Sequence, residues 1–422
     1  MSSFVIKGGG RLEGEISVSG SKNAALPIIA ASILSREPVY LDNLPLIGDV
    51  FTMLKILQSM GSEQEWLGKS RLMIKNKNLD PAKLDQHLVK KIRASVLLIG
   101  PLLARFGKAV LKNPGGCHIG ARPLTTHIEA FKDIGAKVDF DEKENFYYFE
   151  LPKVSGFSVS LKEQSVTATE NLMIFFAFQD SPAEINIAAA EPHIWDLGRF
   201  LETLGVKIEG LGTSNIKIKG NSKLASRDYI YPIISDYIEA GTFLVLGAVA
   251  ASRLLIKNFP VSHLESVLQK AADFGVDYEI KNNESLAVRF SKLKAANIKT
   301  QTYPGFPTDL QSPFSVLAAK AEGDSLIFDT LYEGRLKYID ELKKMGARAR
   351  IIDSHQALIS GQAELKGAEI QSLDLRSGAV MVIAALAAKG NSVLHNIEQI
   401  DRGYERLEER LQKLGAEIKR VN

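Results

Sequence analysis

One phrase recurs six times along the chain: an amphipathic stretch closing on an apolar residue, then glycine, then a small residue and a strand-like run. It reads "LKILQSMGS" at Gly61, "FKDIGAKV" at Gly135, "LETLGVKI" at Gly205, "AADFGVDY" at Gly275, "LKKMGARA" at Gly346 and "LQKLGAEI" at Gly415. The repeats lie about 70 residues apart, as expected of one supersecondary unit used again and again. Glycine after a helical pattern accepts a left-handed backbone without a Cβ penalty, so each phrase predicts a helix stop followed by a strand.

A second phrase keeps the same frame. The runs "AALPIIAASIL", "ASVLLIGPLLA", "TENLMIFFAFQ", "GTFLVLGAVAA", "SPFSVLAAKA" and "GAVMVIAALAA" are small and apolar on every side. They are too short to span a bilayer and predict buried helices. Strand material such as "PVYLDNLP" and "RLLIKNFP" lies between the two helices of a unit, and alternating runs such as "SRLMIKN" and "FYYFEL" follow the glycine stop. Each unit reads strand, buried helix, strand, surface helix, two strands: a βαβαββ repeat. Helices apolar all round must be surrounded, so they pack together with sheets and surface helices outside. Three units per domain give an α/β protein of two domains, each of about 200 residues, a normal domain size. The first domain spans 21–230 and the second 231–422. Residues 1–20 read as strands that could pair with either half, and they are placed with the second.

Composition removes several classes of function. The chain has 422 residues, 45% hydrophobic and 24% charged, which excludes wholesale disorder. A single cysteine cannot form an internal disulfide and fits a reducing compartment. The N-terminus shows no basic region followed by an apolar one, so no signal peptide is expected. A net charge of +3 without a basic block argues against nucleic acid as a partner. A soluble, cytoplasmic protein without membrane insertion is the expectation. There is no metal-ligand spacing, no Walker loop and no dinucleotide fingerprint in a strand-then-helix context, so no cofactor or metal is expected.

The residues that open the buried helices carry the chemistry. They include Lys22 and Asn23 in "GSKNAAL", Arg93 in "KIRAS", Ser165 and Thr167 in "SVTATEN", Asp309 in "FPTDLQS" and Arg376 in "DLRSG". Hydroxyls, amides and carboxylates there can be simple caps. Lysine and arginine instead oppose the helix dipole, a placement that makes sense if an anion lies between. Arg122 and Arg402 add two more cations in turns beside proline or glycine. The lone thiol, Cys117, sits in "KNPGGCHIGARP", a glycine-rich turn between Lys112 and Arg122. A buried inert thiol is the commoner fate of a free cysteine. Turn chemistry and flanking cations favour an exposed thiol able to act as general acid or nucleophile.

These residues resemble the UDP-N-acetylglucosamine 1-carboxyvinyltransferases, a branch of the enolpyruvyl transferase family. The resemblance runs from the first strand to the last helix and is carried by "GSKNAALP", "NPGGCHIGARP", "YPGFPTDLQ", "DLRSGAVMVIAALAA" and "IDRGYERLEERLQKLGA". It implies two inside-out α/β barrels of three repeats each, with a site in a cleft that closes on the first substrate. It implies transfer of the enolpyruvyl group of phosphoenolpyruvate to the 3-hydroxyl of UDP-N-acetylglucosamine with release of phosphate. That is the first committed step of peptidoglycan precursor synthesis, hence a role in cell-wall biogenesis, cell shape and division, and a target for fosfomycin. By the same resemblance Cys117 protonates the phosphoenolpyruvate methylene and Asp309 takes the hydroxyl proton. Lys22, Arg122 and Arg402 bind phosphoenolpyruvate. Asn23, Arg93, Pro123, Leu124, Thr125, Thr126, Ser165, Val166, Thr167, Leu331 and Arg376 complete the substrate contacts.

The sequence departs from the family pattern at a few neighbours of the nucleotide sugar. Thr167 stands where glycine is usual, next to the diphosphate, and Thr125 where aspartate is usual. Gly334 replaces asparagine, Ala190 replaces arginine, and Tyr237 stands where arginine is common. Two alternatives therefore stay open: a divergent paralogue acting on another nucleotide sugar, and a catalytically silent nucleotide-sugar-binding regulator. The related shikimate-pathway transferase lacks the cysteine loop.

Overall fold

The structure, a computed structural model, describes residues 2–115, 123–151, 157–224 and 229–421. All six glycines of the repeated phrase have positive φ, from 76° at Gly275 to 104° at Gly61, so each is the left-handed stop that the sequence predicts. The chain divides into two compact units, one of 20–115 with 123–234 and the other of 2–19 with 235–421. Each has its own hydrophobic core.

In the unit of 235–421, the helices Tyr237–Ala250, Thr308–Lys320 and Leu375–Ala387 pack on one another. Every residue of Tyr237–Ala250 is buried. Apolar side chains on all faces leave such helices no solvent side, so the sheets lie outside them, which makes the barrel inside-out. Asp236 caps the first helix by accepting from the Ile238 and Glu239 amides, and Asp374 and Ser377 form a capping box on the third.

Residues 2–19 belong to this unit. Leu12–Ser17 runs parallel to Ala251–Lys257 and supplies the first strand of the fourth repeat. Ser3–Gly8 lies antiparallel between Gly390–His395 and Glu417–Val421, so Ser3 faces both His395 and Val421. It serves as the last strand of the sixth repeat. In the other unit, Ile230–Pro232 runs parallel to Val39–Asp42 and opens the first repeat from its far end. A boundary at 230/231 would cut this strand, and the division falls after Ile234 instead.

In the unit of 20–234, Lys22–Ala31, Ile99–Phe106 and Val166–Ala177 form the interior. The second of these does not start as a plain α-helix. Arg93–Leu98 is a six-residue 3-10 segment leading into it. Asn171 stitches the junction, its Oδ1 accepting from Gly100 N (2.7 Å) and its Nδ2 donating to Val96 O (3.1 Å).

The second repeat also lacks a strand among the described residues. Its sheet holds only Lys108–Lys112, Phe146–Glu150 and Lys137–Asp141, whereas the other five sheets have four strands. Gln86 occupies the open edge. Its Nε2 donates to Val110 O (3.0 Å) and its Oε1 accepts from Lys112 N (2.8 Å), the two backbone groups a neighbouring strand would have taken.

Candidate active site

Asp309 is the second residue of the helix Thr308–Lys320, and its carboxylate does not cap that helix; the N-cap residue is Pro307. Its two oxygens go to two guanidinium groups instead. Arg335 Nη2 bonds Oδ1 and Arg376 Nε bonds Oδ2 at 3.2 Å. Both arginines are buried, 8% and 3% exposed, while the Asp309 side chain is 27% exposed. Arg376 Nη2 also lies 3.7 Å from Asp236 Oδ2, and its guanidinium sits over the Tyr404 ring at 5.4 Å. Burial works against the charge on Arg376, but Tyr404, Asp236 and Asp309 outweigh it and hold the group more basic than usual. Burial likewise opposes the charge on Arg335, and Asp309 and Asp374 reverse the effect. The result is a fixed pair of cations around one accessible carboxylate.

Thr308 extends the network. Arg335 Nη1 donates to Thr308 Oγ1 (2.8 Å), which donates to Asp329 Oδ2 (2.6 Å). Asp329 Oδ1 accepts from Leu331 N (3.0 Å) and Tyr332 N (3.2 Å), so the exposed Leu331 side chain projects from a turn tied to Asp309 through three residues. Arg402 ends the 3-10 segment Ile397–Arg402, half-buried, and its Nη1 donates to Gln399 Oε1 (3.0 Å).

In the other unit the cations at helix openings are countered by the protein itself, at least in part. Lys22, the first residue of its helix, has its Nζ 3.3 Å from Asp49 Oδ2, with side chains 13% and 6% exposed. Arg93 Nη1 lies 3.5 Å from Pro114 O. For Lys22 and Arg376, carboxylates of the chain supply counter-charge. Asn23 is half-buried beside Lys22, and Ser21 caps the helix by accepting from Ala24 N.

The remaining predicted contacts cluster around two helix openings of this unit. Pro123 and Thr125 are exposed, and Leu124 and Thr126 are buried at the start of Thr125–Asp133. Thr126 Oγ1 donates to Glu163 Oε1 (2.8 Å). Ser165 is the N-cap residue of Val166–Ala177 but makes no side-chain cap bond, and Ser165, Val166 and Thr167 are half-buried. His127 meets Thr167 here, its Nε2 2.9 Å from Thr167 Oγ1. Burial, then the charge of Arg93, pushes the His127 pKa down to about 3. Further in, Glu170 is 2% exposed, and burial and the charge of Glu191 hold its carboxyl well above the usual range.

The depressed His127 has a consequence for stability. The unfolded chain takes up this proton near pH 6.5, and the folded one not until about pH 3. Protonation therefore favours unfolding, and the contribution is complete above pH 6.5 and lost as pH falls below it. Wild type is expected to lose stability relative to His127→Gln between these values, by at most about 1.4 kcal/mol per pH unit. Denaturant unfolding of both proteins at pH 7.5 and pH 5 checks this, since the other titrating groups cancel in the difference.

Cys117 and Arg122 lie outside the described residues. The segment leading to them is held at Lys112 by Gln86 and at Pro114 by Arg93, and Gly115 passes close to the Lys90 carbonyl. A Cβ on Gly115 would stand 1.9 Å from the Lys90 carbonyl oxygen. Gly115→Ala must displace this backbone and is expected to lower turnover at least tenfold with little change in melting temperature, measured by steady-state kinetics and calorimetry.

Asp49, Arg335, Asp236, Asp329 and His127 are not identified by the sequence reading. Arg335 directly follows Gly334, one of the departures from the family pattern. Among the described residues no group of three His, Cys, Asp or Glu is placed to hold a metal ion, and no helix is long and apolar enough to cross a membrane.

The pattern of the EPSP synthase family (3-phosphoshikimate 1-carboxyvinyltransferase) matches residues 6–411. Closer relatives carry a more specific name. UDP-N-acetylglucosamine 1-carboxyvinyltransferase of Bradyrhizobium diazoefficiens is 42% identical over 99% of this chain and 98% of its own. The first such enzyme of Carboxydothermus hydrogenoformans is 42% identical over 100% and 99%, and that of Helicobacter pylori 40% over 97% of each. The chain belongs to the UDP-N-acetylglucosamine 1-carboxyvinyltransferase family. Solved enolpyruvyl transferases share its fold. NikO of Streptomyces tendae superposes with a TM-score of 0.90 at 23% identity, covering 100% of this chain and 99% of its own. EPSP synthase of Acinetobacter baumannii does so with 0.75 at 17% identity over the whole of both chains.

Proposed function

We infer that the chain transfers the enolpyruvyl group of phosphoenolpyruvate to the 3-hydroxyl of UDP-N-acetylglucosamine and releases phosphate. The observation that carries this is the match of about two residues in five along the whole chain to enzymes of that name. In this reading, Asp309 removes the proton from the sugar hydroxyl as its oxygen bonds to C2 of phosphoenolpyruvate. The Cys117 thiol gives a proton to the methylene carbon, C3, so that carbon becomes a methyl group in a tetrahedral adduct. Loss of a proton from C3 then re-forms the double bond as the C2–O bond to phosphate breaks. Lys22, Arg122 and Arg402 bind the phosphoenolpyruvate anion. Arg376 and Arg335 hold Asp309 and fix its direction.

The same reading makes the chain a cytoplasmic enzyme of peptidoglycan precursor synthesis without a cofactor. A phosphate-release assay with phosphoenolpyruvate and a panel of UDP-sugars tests it. Release with UDP-N-acetylglucosamine at the highest kcat/KM of the panel is expected. Release with none of them would overturn the assignment, and preference for a different sugar would correct the substrate.

A further inference from the structure

Asp329 is wholly buried, directly after the strand Asp324–Phe328, and its carboxylate gathers four donors. Oδ2 accepts from Thr308 Oγ1 (2.6 Å), and Oδ1 accepts from Thr300 Oγ1 (3.2 Å), Leu331 N (3.0 Å) and Tyr332 N (3.2 Å). Two carboxylate oxygens offer about four acceptor positions, so the group is saturated. Its backbone is held as well: Asp329 N donates to His355 O (2.8 Å), and the Asp329 carbonyl accepts from His355 Nδ1 (2.7 Å). An ionised carboxylate only accepts, so the one hydrogen of the Thr308 hydroxyl points at Asp329. The hydroxyl then has a lone pair for Arg335 Nη1 (2.8 Å), which can only donate. The run of bonds from guanidinium to hydroxyl to carboxylate therefore has one direction. A second route reaches the same arginine. Asp329 holds the backbone of Tyr332, and the Arg335 guanidinium lies over the Tyr332 ring at 5.5 Å. A planar guanidinium held at Nη1 and over its face has little freedom, and its other arm, Nη2, meets Asp309 Oδ1.

We propose that Asp329 is a positioning residue for proton removal: through the Thr308 hydroxyl and the Leu331–Tyr332 turn it fixes the Arg335 guanidinium that aims the Asp309 carboxylate. The proposal rests on the reading of Asp309 as base under Proposed function, and adds to it a sealed residue that works only through others. Asp329 also contributes charge, since it is one of the carboxylates that offset the burial of Arg335. Asparagine at this position would keep one acceptor oxygen for four donors and set an amide N–H against some of them. The Thr308 hydroxyl would lose its fixed direction, and Arg335 its grip on one arm. A misplacement of about 1 Å in a catalytic group can cost a hundredfold in rate.

Steady-state phosphate release with phosphoenolpyruvate and UDP-N-acetylglucosamine tests this. Asp329→Asn is expected to lower kcat about ten- to a hundredfold. Because Asp329 is buried, that variant can also lose stability, so Thr308→Val carries the test beside it. Valine keeps the shape of threonine, leaves the Leu331–Tyr332 turn bonded to Asp329, and removes only the hydroxyl. Its kcat should fall by a similar factor while the KM of both substrates stays near wild type, and Thr308→Ser should recover most of the loss. The double variant Asp329→Asn with Thr308→Val should be no slower than the slower single one, as expected of residues that act in series. The deciding comparison is made on Asp309→Asn, where the base is already gone. Thr308→Val should cost no further turnover there, because its effect runs through Asp309. A general weakening of the fold would cost as much in that background as in wild type. Wild-type kcat in Thr308→Val, or an undiminished loss on Asp309→Asn, would overturn the proposal. Failure of the functional assignment looks different: wild type itself would release no phosphate.

Discussion

Asp309→Ala is expected to lower kcat about a thousandfold, within the 10²–10⁴ that a positioned general base contributes. The KM for the nucleotide sugar should change far less, because the base acts in the transition state more than in the ground state. A simple helix cap would behave differently, costing about 1 kcal/mol of stability and little turnover. The geometry excludes the cap, since both carboxylate oxygens face arginines. It also changes what the alanine variant does to the fold. Removing the carboxylate leaves two buried guanidinium groups short of a counter-charge, with Asp236 and Thr308 still beside them. Alanine should therefore lower the melting temperature as well as the rate, and Asp309→Asn should lower the rate with a smaller thermal cost, because it keeps an acceptor oxygen for one of the two. Steady-state kinetics with calorimetry on both variants decides it. Turnover near wild type in Asp309→Asn would remove the base from the mechanism.

The second large effect is expected at Cys117. Cys117→Ser should lose nearly all activity near neutral pH, because a hydroxyl is a far weaker acid than a thiol with a reference pKa of about 8.5. Cys117→Asp should retain activity with an optimum at lower pH, since a carboxyl can also deliver a proton. By the family resemblance, fosfomycin should alkylate the thiol: sulfur bonds to an epoxide carbon, the carbon–oxygen bond opens, and the oxygen takes a proton. Intact mass should show one adduct on wild type, formed faster with the nucleotide sugar present, and none on Cys117→Asp. An unmodified wild type together with full turnover in Cys117→Ser would reduce the cysteine to an ordinary turn residue.

The parts of the fold that were legible in the sequence are those with a local cause. Gly61, Gly135, Gly205, Gly275, Gly346 and Gly415 mark helix ends because a left-handed residue is needed at each, whatever surrounds it. The buried helices are legible because a run without a polar face has nowhere to go but inside. Long-range pairing left no such mark. Nothing in "SFVIKG" says that Ser3 will stand opposite His395, and nothing in "IYP" says that Ile230 will pair with Tyr40. The site divides the same way. Lys22, Asp309 and Arg376 stand at predicted helix openings, where placement alone made them candidates. Asp49 and Arg335 act only through partners brought in by the fold, 27 and 26 residues away, so no spacing rule could select them. His127 was hidden because its role depends on burial, and burial of one histidine is not readable from its neighbours in sequence.

The placement of Ser3–Gly8 sets the order in which a ribosome can complete this molecule. The unit of 20–234 has all its described strands once Ile230–Pro232 has emerged, and it can close while the rest is still being made. The first strand cannot. Its two neighbours, Gly390–His395 and Glu417–Val421, are translated long after it. At about 5–20 residues per second, it waits unpaired for roughly twenty to eighty seconds. During that time "SFVIKG" is a short β-prone segment with both edges open, a template for wrong pairing until its neighbours arrive.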